Sequence, residues 1–252
     1  KKQQARKTGG LLISLPSGRQ CIFRPGGKGV NYRFHLQFEA YNLFIGKSGA
    51  PGNSPNVYLS ISAKTLWLDG IATAIDWISQ DLKTIGNGTI QRVQVSRVDL
   101  CADFHIPGGL SPEFLNLHKV THNEKEKLYL GKSELQTYYA GDAKSPIQLR
   151  LYAKGLEVKQ AGTKLWFLAL WQRETTEDIW RIEYQLRRPA LKDFGVDSLD
   201  DLQEKKAGLW LNLTSKWFSL RLPDNDKAER RTVHPFWSAV QGSFKQAASV
   251  TE

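Results

Sequence analysis

The sequence predicts an α+β protein with a strongly twisted, largely antiparallel sheet, built from two sheet-plus-helix halves with the helices packed on one face. Strand-like stretches follow one another without a helix between each pair, which disfavours a doubly wound parallel sheet. Several stretches alternate apolar and polar residues, as half-buried strands do. A length of 252 residues with 40% hydrophobic residues supplies enough apolar material for a core.

Loops rich in Gly, Pro, Ser and Asn separate the elements of the first half, at 24–30 and 46–55. Between the loops, the alternation of Tyr32, Phe34, Leu36 and Phe38 with polar residues predicts a strand. Apolar residues at helical spacing then predict an amphipathic helix, and Ser111 before Pro112 marks the start of a short one. The predicted elements are a strand at 32–45, a strand at 56–63, a helix at 65–84, a strand at 90–104 and the helix after Ser111.

The second half continues the same pattern of strands followed by helices. Arg188-Pro189 opens a helix that ends at Gly195, and Ser198 caps another that runs to about Leu213. The predicted strands lie near 136–141, 146–154, 164–170 and 178–187.

Composition also divides the chain into segments. Residues 1–9 are predicted to be a basic flexible tail, and residues 10–222 a single functional domain with halves of about 10–120 and 121–222. Residues 223–252 are predicted to be a C-terminal extension. The sequence contains no Met, so we expect a processed or trimmed chain that could lack an amino-terminal module.

The localisation expected from the sequence is cytoplasmic. The apolar stretches are far shorter than the ~18 residues of a membrane span, and no signal-peptide pattern is present. Two cysteines exclude a disulfide scaffold and a four-cysteine zinc site. A net charge of +10 favours a polyanionic partner, first of all nucleic acid.

The polar sides of three predicted strands carry the candidate functional residues. In 97–103, 148–154 and 181–187 every second residue is mostly apolar and should face the helices, because side chains alternate along a strand. The opposite face should then gather acidic, basic and phenolic side chains from all three strands. These are Asp99, Asp103, Glu183, Tyr152, Arg97, Arg150, Lys154, Arg181, Gln185 and Arg187.

Two interpretations of this face are open. Clustered carboxylates suit a hard cation such as Mg²⁺ or Mn²⁺, and a tyrosine hydroxyl beside the metal can attack phosphorus while Arg and Lys hold the flanking DNA backbone. Alternatively, the charges are ordinary cross-strand ion pairs, and Tyr152 is a strand aromatic that covers a neighbour.

Four short motifs occur along the chain in a fixed order. They are an R-x-D strand at Arg97–Asp99, a G-x-x-K-S turn at Gly141–Ser145, an R-x-Y-x-K-x-x-E strand at Arg150–Glu157 and an R-x-E-x-x-x-R strand at Arg181–Arg187. This set, within about residues 90–220, resembles the replication initiation factor family. That family covers rolling-circle initiators of small plasmids and phages and the related relaxases of conjugative elements.

The resemblance implies a metal-dependent DNA nicking and joining enzyme. Its nucleophile would be Tyr152, with Tyr138 and Tyr139 as rivals, and Arg150 and Lys154 would act beside it. The nucleophile would form a 5′-phosphotyrosine link and leave a free 3′ hydroxyl, and the strand would later be rejoined. The implied metal ligands for Mg or Mn are Asp99, Asp103, Glu157 and Glu183, and the implied DNA-binding residues are Lys144, Ser145, Arg181, Arg187 and Arg188.

The implied partners are origin DNA in single-stranded or cruciform form, a helicase and a second copy of the chain, with no membrane. No H-x-H pair is present, which fits a carboxylate-based rather than a histidine-based metal site. A non-catalytic, sequence-specific double-stranded DNA-binding protein on the same fold is the main alternative. An RNA-binding module is the weakest, because few aromatics besides Tyr152 are expected on the polar face.

Overall fold

In the computed structural model, the described parts of the chain are Gln4 and residues 8–46, 55–86 and 88–244. Most of the predicted basic tail and of the predicted loop at 46–55 lies outside them. The chain forms two compact units that divide after Gln91. The α+β class with antiparallel sheets is confirmed. No helix in the described residues is long and apolar enough to span a membrane.

The first unit is a five-stranded antiparallel sheet in sequential order, followed by two helices. The helices break at Gly70, whose φ of +79° a glycine adopts without strain. The buried residues of this unit, such as Leu43 and Ile78, come from the sheet and the second helix. The elements are β1 (Leu11–Ser14), β2 (Gln20–Arg24), β3 (Tyr32–Gln37), β4 (Tyr41–Gly46), β5 (Val57–Ile61), α1 (Ala63–Leu68) and α2 (Gly70–Gly86).

The single strand predicted at 32–45 was wrong, because the segment is a hairpin of β3 and β4. Phe38 donates its backbone N–H to the carbonyl of Tyr41 at 2.9 Å and closes a tight turn. Phe38 and Tyr41 are both buried. Residues three apart would point to opposite faces of one straight strand, so the turn is what brings both rings into the core.

The second unit contains a five-stranded antiparallel sheet in the order β6-β11-β10-β9-β8. Its edge strand β8 was not predicted, and the strand predicted at 90–104 begins only at Arg97. The strands are β6 (Arg97–His105), β8 (Glu126–Gly131), β9 (Glu134–Ala140), β10 (Ile147–Tyr152) and β11 (Ile179–Arg187), and a separate pair consists of β7 (Lys119–Thr121) and β12 (Phe218–Leu220).

Several helices of this unit begin where the sequence places them. Ser111 accepts the backbone N–H of Phe114, and Ser198 forms a reciprocal capping box with Asp201. The helices are α3 (Pro112–His118), α4 (Lys154–Ala161), α5 (Trp166–Trp171), α6 (Arg188–Asp193), α7 (Leu199–Asn212) and α8 (Pro235–Gly242), with a π-helical turn (Leu213–Trp217) and a 3₁₀ turn (Ala228–Arg230).

The strand predicted at 164–170 was wrong, because α5 occupies this segment. An apolar run without alternation fits a buried strand and a buried helix equally well. In the helix, Phe167 and Trp171 lie four residues apart and stack with ring centroids 5.1 Å apart. Helix α5 packs beside the polar face of the sheet, where the Trp171 indole reaches Asp103.

The boundaries inside the chain differ from those expected. The halves were expected to meet near residue 120, but β6 pairs along its whole length with β11 and so belongs to the second unit. The expected C-terminal extension contributes α8 to the core, where Trp237 and Val240 are completely buried. The Trp237 indole N–H donates to the Thr214 carbonyl at 2.7 Å. Residues 245–252 of that extension lie outside the described residues.

We expect Trp237→Ala to lower the free energy of unfolding of the second unit by about 3–5 kcal/mol, because it leaves a large cavity and removes the indole N–H from the Thr214 carbonyl. Urea unfolding followed by circular dichroism measures this loss. The neighbouring Ser238 is exposed, so Ser238→Ala should stay within about 0.5 kcal/mol of wild type. Equal effects of the two substitutions would show that α8 is a dispensable extension.

Candidate active site

The polar face of the second sheet forms as the alternation predicts. Arg150 lies opposite Glu183, and Tyr152 lies opposite Arg181, in the register between β10 and β11. On the other side, β6 places Asp103 opposite Arg181. The alternate residues of the same strands are buried among the helices, which leaves the charged residues together on the opposite face.

Three of these residues form a connected centre. The Tyr152 hydroxyl donates to Oε2 of Glu183 at 3.0 Å. The Arg150 guanidinium binds the other oxygen, Oε1, and lies 3.5 Å from Oδ2 of Asp99. The Glu183 side chain is only 8% exposed. Arg150 therefore keeps a nearly buried carboxylate charged while one of its oxygens faces the phenol.

The Tyr152 phenol is a weak acid in this environment. Burial raises its pKa well above the ordinary value of 10.0, and the charges of Glu157 and Cys101 add to this rise. The nearby guanidinium groups of Arg181 and Arg150 act in the opposite direction without cancelling it. Tyr152 is thus a neutral phenol at pH 7, and any reaction of its oxygen needs a proton acceptor, which Glu183 is placed to be.

The two rival tyrosines lie on opposite sides of β9. Tyr138 faces the core, is 1% exposed and donates to Oε1 of Glu126 at 2.9 Å. Tyr139 lies on the polar face opposite Arg150. An open cleft of about 300 Å³ is lined by Tyr139, Arg150 and Tyr152, together with Thr137 and Glu157 on its walls. Tyr138 does not line this cleft.

Arg181 and Asp103 form a buried ion pair at one end of the face. Two nitrogens of the guanidinium bind the two carboxylate oxygens at 2.6 and 2.7 Å, and the Trp171 indole donates to the same carboxylate at 2.8 Å. The Arg181 side chain is 5% exposed and stacks over Phe167. The two charges compensate each other in this pair, so the position of Arg181 favours a structural role over phosphate binding.

Lys154 was expected at the end of a strand and Glu157 just beyond it, but both lie in the first turn of α4. Glu157 accepts from Lys154 at 2.8 Å and from Lys164 at 2.5 Å. Burial lowers the pKa of Lys154, although its bond to Glu157 acts against this. Burial alone would raise the pKa of Glu157, but the two lysines outweigh it and hold the value below the ordinary one.

The four predicted metal ligands do not converge on one point. Asp99 binds Arg97 and Arg150, Asp103 binds Arg181, and the other two carboxylates are paired as described above. Within the described ranges, no three His, Cys, Asp or Glu side chains lie close enough together to hold a metal ion. This donor set does not fit Mg²⁺ or Mn²⁺ as arranged, so the metal stays a prediction from the sequence.

The predicted DNA-binding residues occupy three different places. Lys144 and Ser145 lie in the turn at 141–145, where Lys144 is exposed and the Ser145 hydroxyl accepts the Asp142 backbone N–H. Arg187 holds this turn through the carbonyl of Ala143 at 2.7 Å.

Arg188 points elsewhere. Its guanidinium donates to the carbonyls of Val95 and Val196 and binds Asp197. These bonds tie the segment before β6 to the start of α7. Its position favours a structural role.

Two further aromatic residues lie on the polar face: Tyr129 was not predicted at all, and Tyr139 was predicted only as a rival nucleophile. Tyr129 lies on the edge strand β8, opposite Thr137, and Tyr139 lies on β9, opposite Lys127. The signal was present, because Lys127 and Tyr129 alternate with Leu128 and Leu130. The polar face therefore carries more aromatic residues besides Tyr152 than the sequence predicted.

Comparison with solved structures gives a distant likeness. No protein-family model matches the chain, and no curated protein matches it. A solved structure of the rolling circle replication initiator protein from Geobacillus stearothermophilus is similar at 15% identity and a TM-score of 0.49, over 94% of this chain and 82% of that chain. A likeness this distant does not assign a function to this chain.

We expect the alkaline titration of Tyr152 to lie above pH 10, because burial favours the neutral phenol. The difference in tyrosinate absorbance between wild type and Tyr152→Phe isolates this single group, and circular dichroism confirms that both proteins stay folded. The deprotonated phenol is favoured in the unfolded chain, so ionisation above pH 10 makes the folded state progressively less stable. A difference titration centred at or below pH 10 would show that the Tyr152 phenol is not buried.

Proposed function

We propose that this protein nicks one strand of DNA at a replication origin and later rejoins it, as a rolling-circle initiator or related relaxase, with Tyr152 as the nucleophile. The observation that carries this proposal is the hydrogen bond from Tyr152 to Glu183, in an open cleft, within the four motifs that resemble the replication initiation factor family. A phenol next to a fixed carboxylate is the arrangement that an activated nucleophile requires.

The reaction balances with these two groups. The Tyr152 oxygen attacks the scissile phosphorus and forms a new P–O bond, while its proton passes to the Glu183 carboxylate. The bond from phosphorus to the 3′ oxygen breaks, and that oxygen leaves as a 3′ hydroxyl after taking up a proton, which the protonated Glu183 can return. The phosphodiester energy is kept in the phosphotyrosine ester, so the reverse attack by a 3′ hydroxyl reseals the strand without ATP.

Cations around the centre support an anionic substrate. Arg150 lines the cleft directly beside Tyr152, so its guanidinium N–H donors lie near the phenol. A phosphate oxygen in the cleft would use such donors and would be held near the phenol. Lys144 and the overall charge of +10 supply sequence-independent attraction for the DNA backbone.

A non-catalytic double-stranded DNA-binding protein is the second candidate. It is favoured by the pairing of all four candidate carboxylates with cations, which is what ordinary cross-strand ion pairs would show. In this case the Tyr152 hydrogen bond would serve only to satisfy a half-buried phenol. The helicase partner, the homodimer and the cytoplasmic location remain predictions from the sequence.

We expect wild-type protein to form a covalent adduct with DNA, and Tyr152→Phe to form none while binding DNA with unchanged affinity, because only the attacking oxygen is removed. The substrate is a pool of supercoiled plasmids with random inserts, incubated with Mg²⁺ or Mn²⁺ in parallel. Adducts are detected on denaturing gels and their inserts are sequenced.

Tyr139→Phe is the matched control, since it removes a hydroxyl from the same cleft and should leave the adduct intact. Adducts that persist in Tyr152→Phe would disprove the nucleophile assignment. DNA binding by wild type without any adduct, in either metal, would support the binding-only candidate.

We expect Glu183→Gln to lower the nicking rate by about 10²- to 10⁴-fold, because the amide cannot accept the phenolic proton. DNA affinity should not fall, since no cation is lost. The rate of the variant should also keep rising with pH as tyrosinate forms, whereas the wild-type rate should level off at lower pH.

Glu126→Gln is a matched control, because Glu126 accepts the hydroxyl of Tyr138 at 2.9 Å on the opposite face of the sheet. Its nicking rate and pH profile should equal those of wild type. Equal losses in both variants would point to a general effect on folding, and an unchanged rate in Glu183→Gln would exclude Glu183 as the proton acceptor.

A further inference from the structure

We propose that Tyr129 and Tyr139 form a stacking platform that binds the bases of a single DNA strand next to Tyr152. This inference rests on the proposed function and adds the side chains that would hold the bases of the strand. The platform consists of these two rings on β8 and β9, and it continues the polar face from the nucleophile to the edge of the sheet.

The register of the strands places the platform next to the nucleophile. Tyr152 lies opposite Thr137, and Thr137 in turn lies opposite Tyr129, so the three form one row across the sheet. Tyr139 lies in the next row, between Lys127 and Arg150. Neighbouring strands are about 4.8 Å apart, so Tyr129 stands roughly 10 Å from the strand of Tyr152.

The two rings are arranged in contact and are open to solvent. Their centroids are 5.7 Å apart with an interplanar angle of 75°, an edge-to-face pair. Tyr129 is 55% exposed at the edge of the sheet, and Tyr139 lines the cleft that holds Tyr152. An aromatic pair with one exposed and one half-buried ring, continuous with a reaction cleft, offers a stacking site for bases.

The charges around the rings match a nucleic-acid backbone. Lys125 and Lys127 have side chains that are 70% and 64% exposed, and their ammonium groups lie 2.9 and 3.9 Å from Asp142. Arg150 lies on the other side of Tyr139. Cations on both sides of an aromatic pair allow the phosphates to follow the rings while the bases stack.

A single strand fits this platform better than a duplex. In a duplex the faces of the bases are stacked on one another, and only their edges are accessible to side chains. A single strand exposes the faces, and every base has one, so the platform accepts different sequences. A strand held there would lead its backbone into the cleft beside Tyr152.

The test uses Tyr152→Phe as the parent protein, so that binding is measured without cleavage. The probe is a fluorescein-labelled oligothymidylate of about 12 nucleotides, followed by fluorescence anisotropy, with a labelled duplex of equal length in parallel. Adding Tyr129→Ala should weaken single-strand binding about tenfold, which is the loss of one stacked base. Adding Tyr129→Phe should restore it, and duplex binding should not change.

Leu128→Ala is the matched control, because Leu128 is 42% exposed on the same strand but lies on the opposite face. It should bind single strands as the parent does. Unchanged binding in Tyr129→Ala, or an equal loss in Leu128→Ala, would overturn the platform.

Three other outcomes distinguish the stacking platform from a dimer interface and from the nicking function. If Tyr129→Ala instead converts a dimer to a monomer in sedimentation, the edge strand binds a second copy and the platform is wrong. If Tyr129→Ala weakens single-strand binding but wild type forms no covalent adduct, the platform stands and the nicking function fails. If wild type forms the adduct but Tyr129→Ala binds single strands normally, the nicking function stands and the platform fails.

Discussion

The pairing of β10 with β11 is the constraint on which the site depends. This register places Arg150 opposite Glu183 and Tyr152 opposite Arg181. The residues that alternate with them along the strands are buried in the core. A slip of one residue would move Tyr152 to the apolar side and place Leu151 on the polar face. The buried leucines therefore position the phenol, although none of them takes part in its chemistry.

Charge compensation is the second condition of this face. Glu183 can stay ionised at 8% exposure because Arg150 binds it, and the same ion pair leaves the second carboxylate oxygen to accept the phenolic hydrogen. Arg181 compensates the charge of Asp103 in the same way. Both oxygens of Asp103 are already bonded, however, because the Trp171 indole donates to this carboxylate as well. Glu183 and Asp103 carry the same charge, but only Glu183 has a carboxylate oxygen that accepts from a phenol.

The sequence predicts those features that depend on local pattern. Alternation places Tyr152 and Glu183 on one face, and Ser111 and Ser198 mark helix starts through their own side chains. The hairpin after Phe38 was missed because alternation of apolar and polar residues does not show where a chain reverses. The helix at Trp166 was missed because an apolar run fits a strand as well as a helix. The partner of each carboxylate was also open, since it depends on contacts such as that of Glu157 with Lys164, which only the folded chain brings together.

Two tyrosine–glutamate pairs in one sheet show what separates a nucleophile from a core residue. Tyr138 with Glu126 and Tyr152 with Glu183 have nearly the same hydrogen bond, at 2.9 and 3.0 Å. Burial raises the pKa of both phenols, but only Tyr152 also has arginines near enough to lower its pKa in part. Tyr138 lies behind the sheet among apolar side chains, whereas Tyr152 lines a cleft with Arg150. Reactivity toward a phosphate therefore follows from the side of the sheet on which the pair lies, because that side decides whether an anion can reach the phenol and be neutralised there.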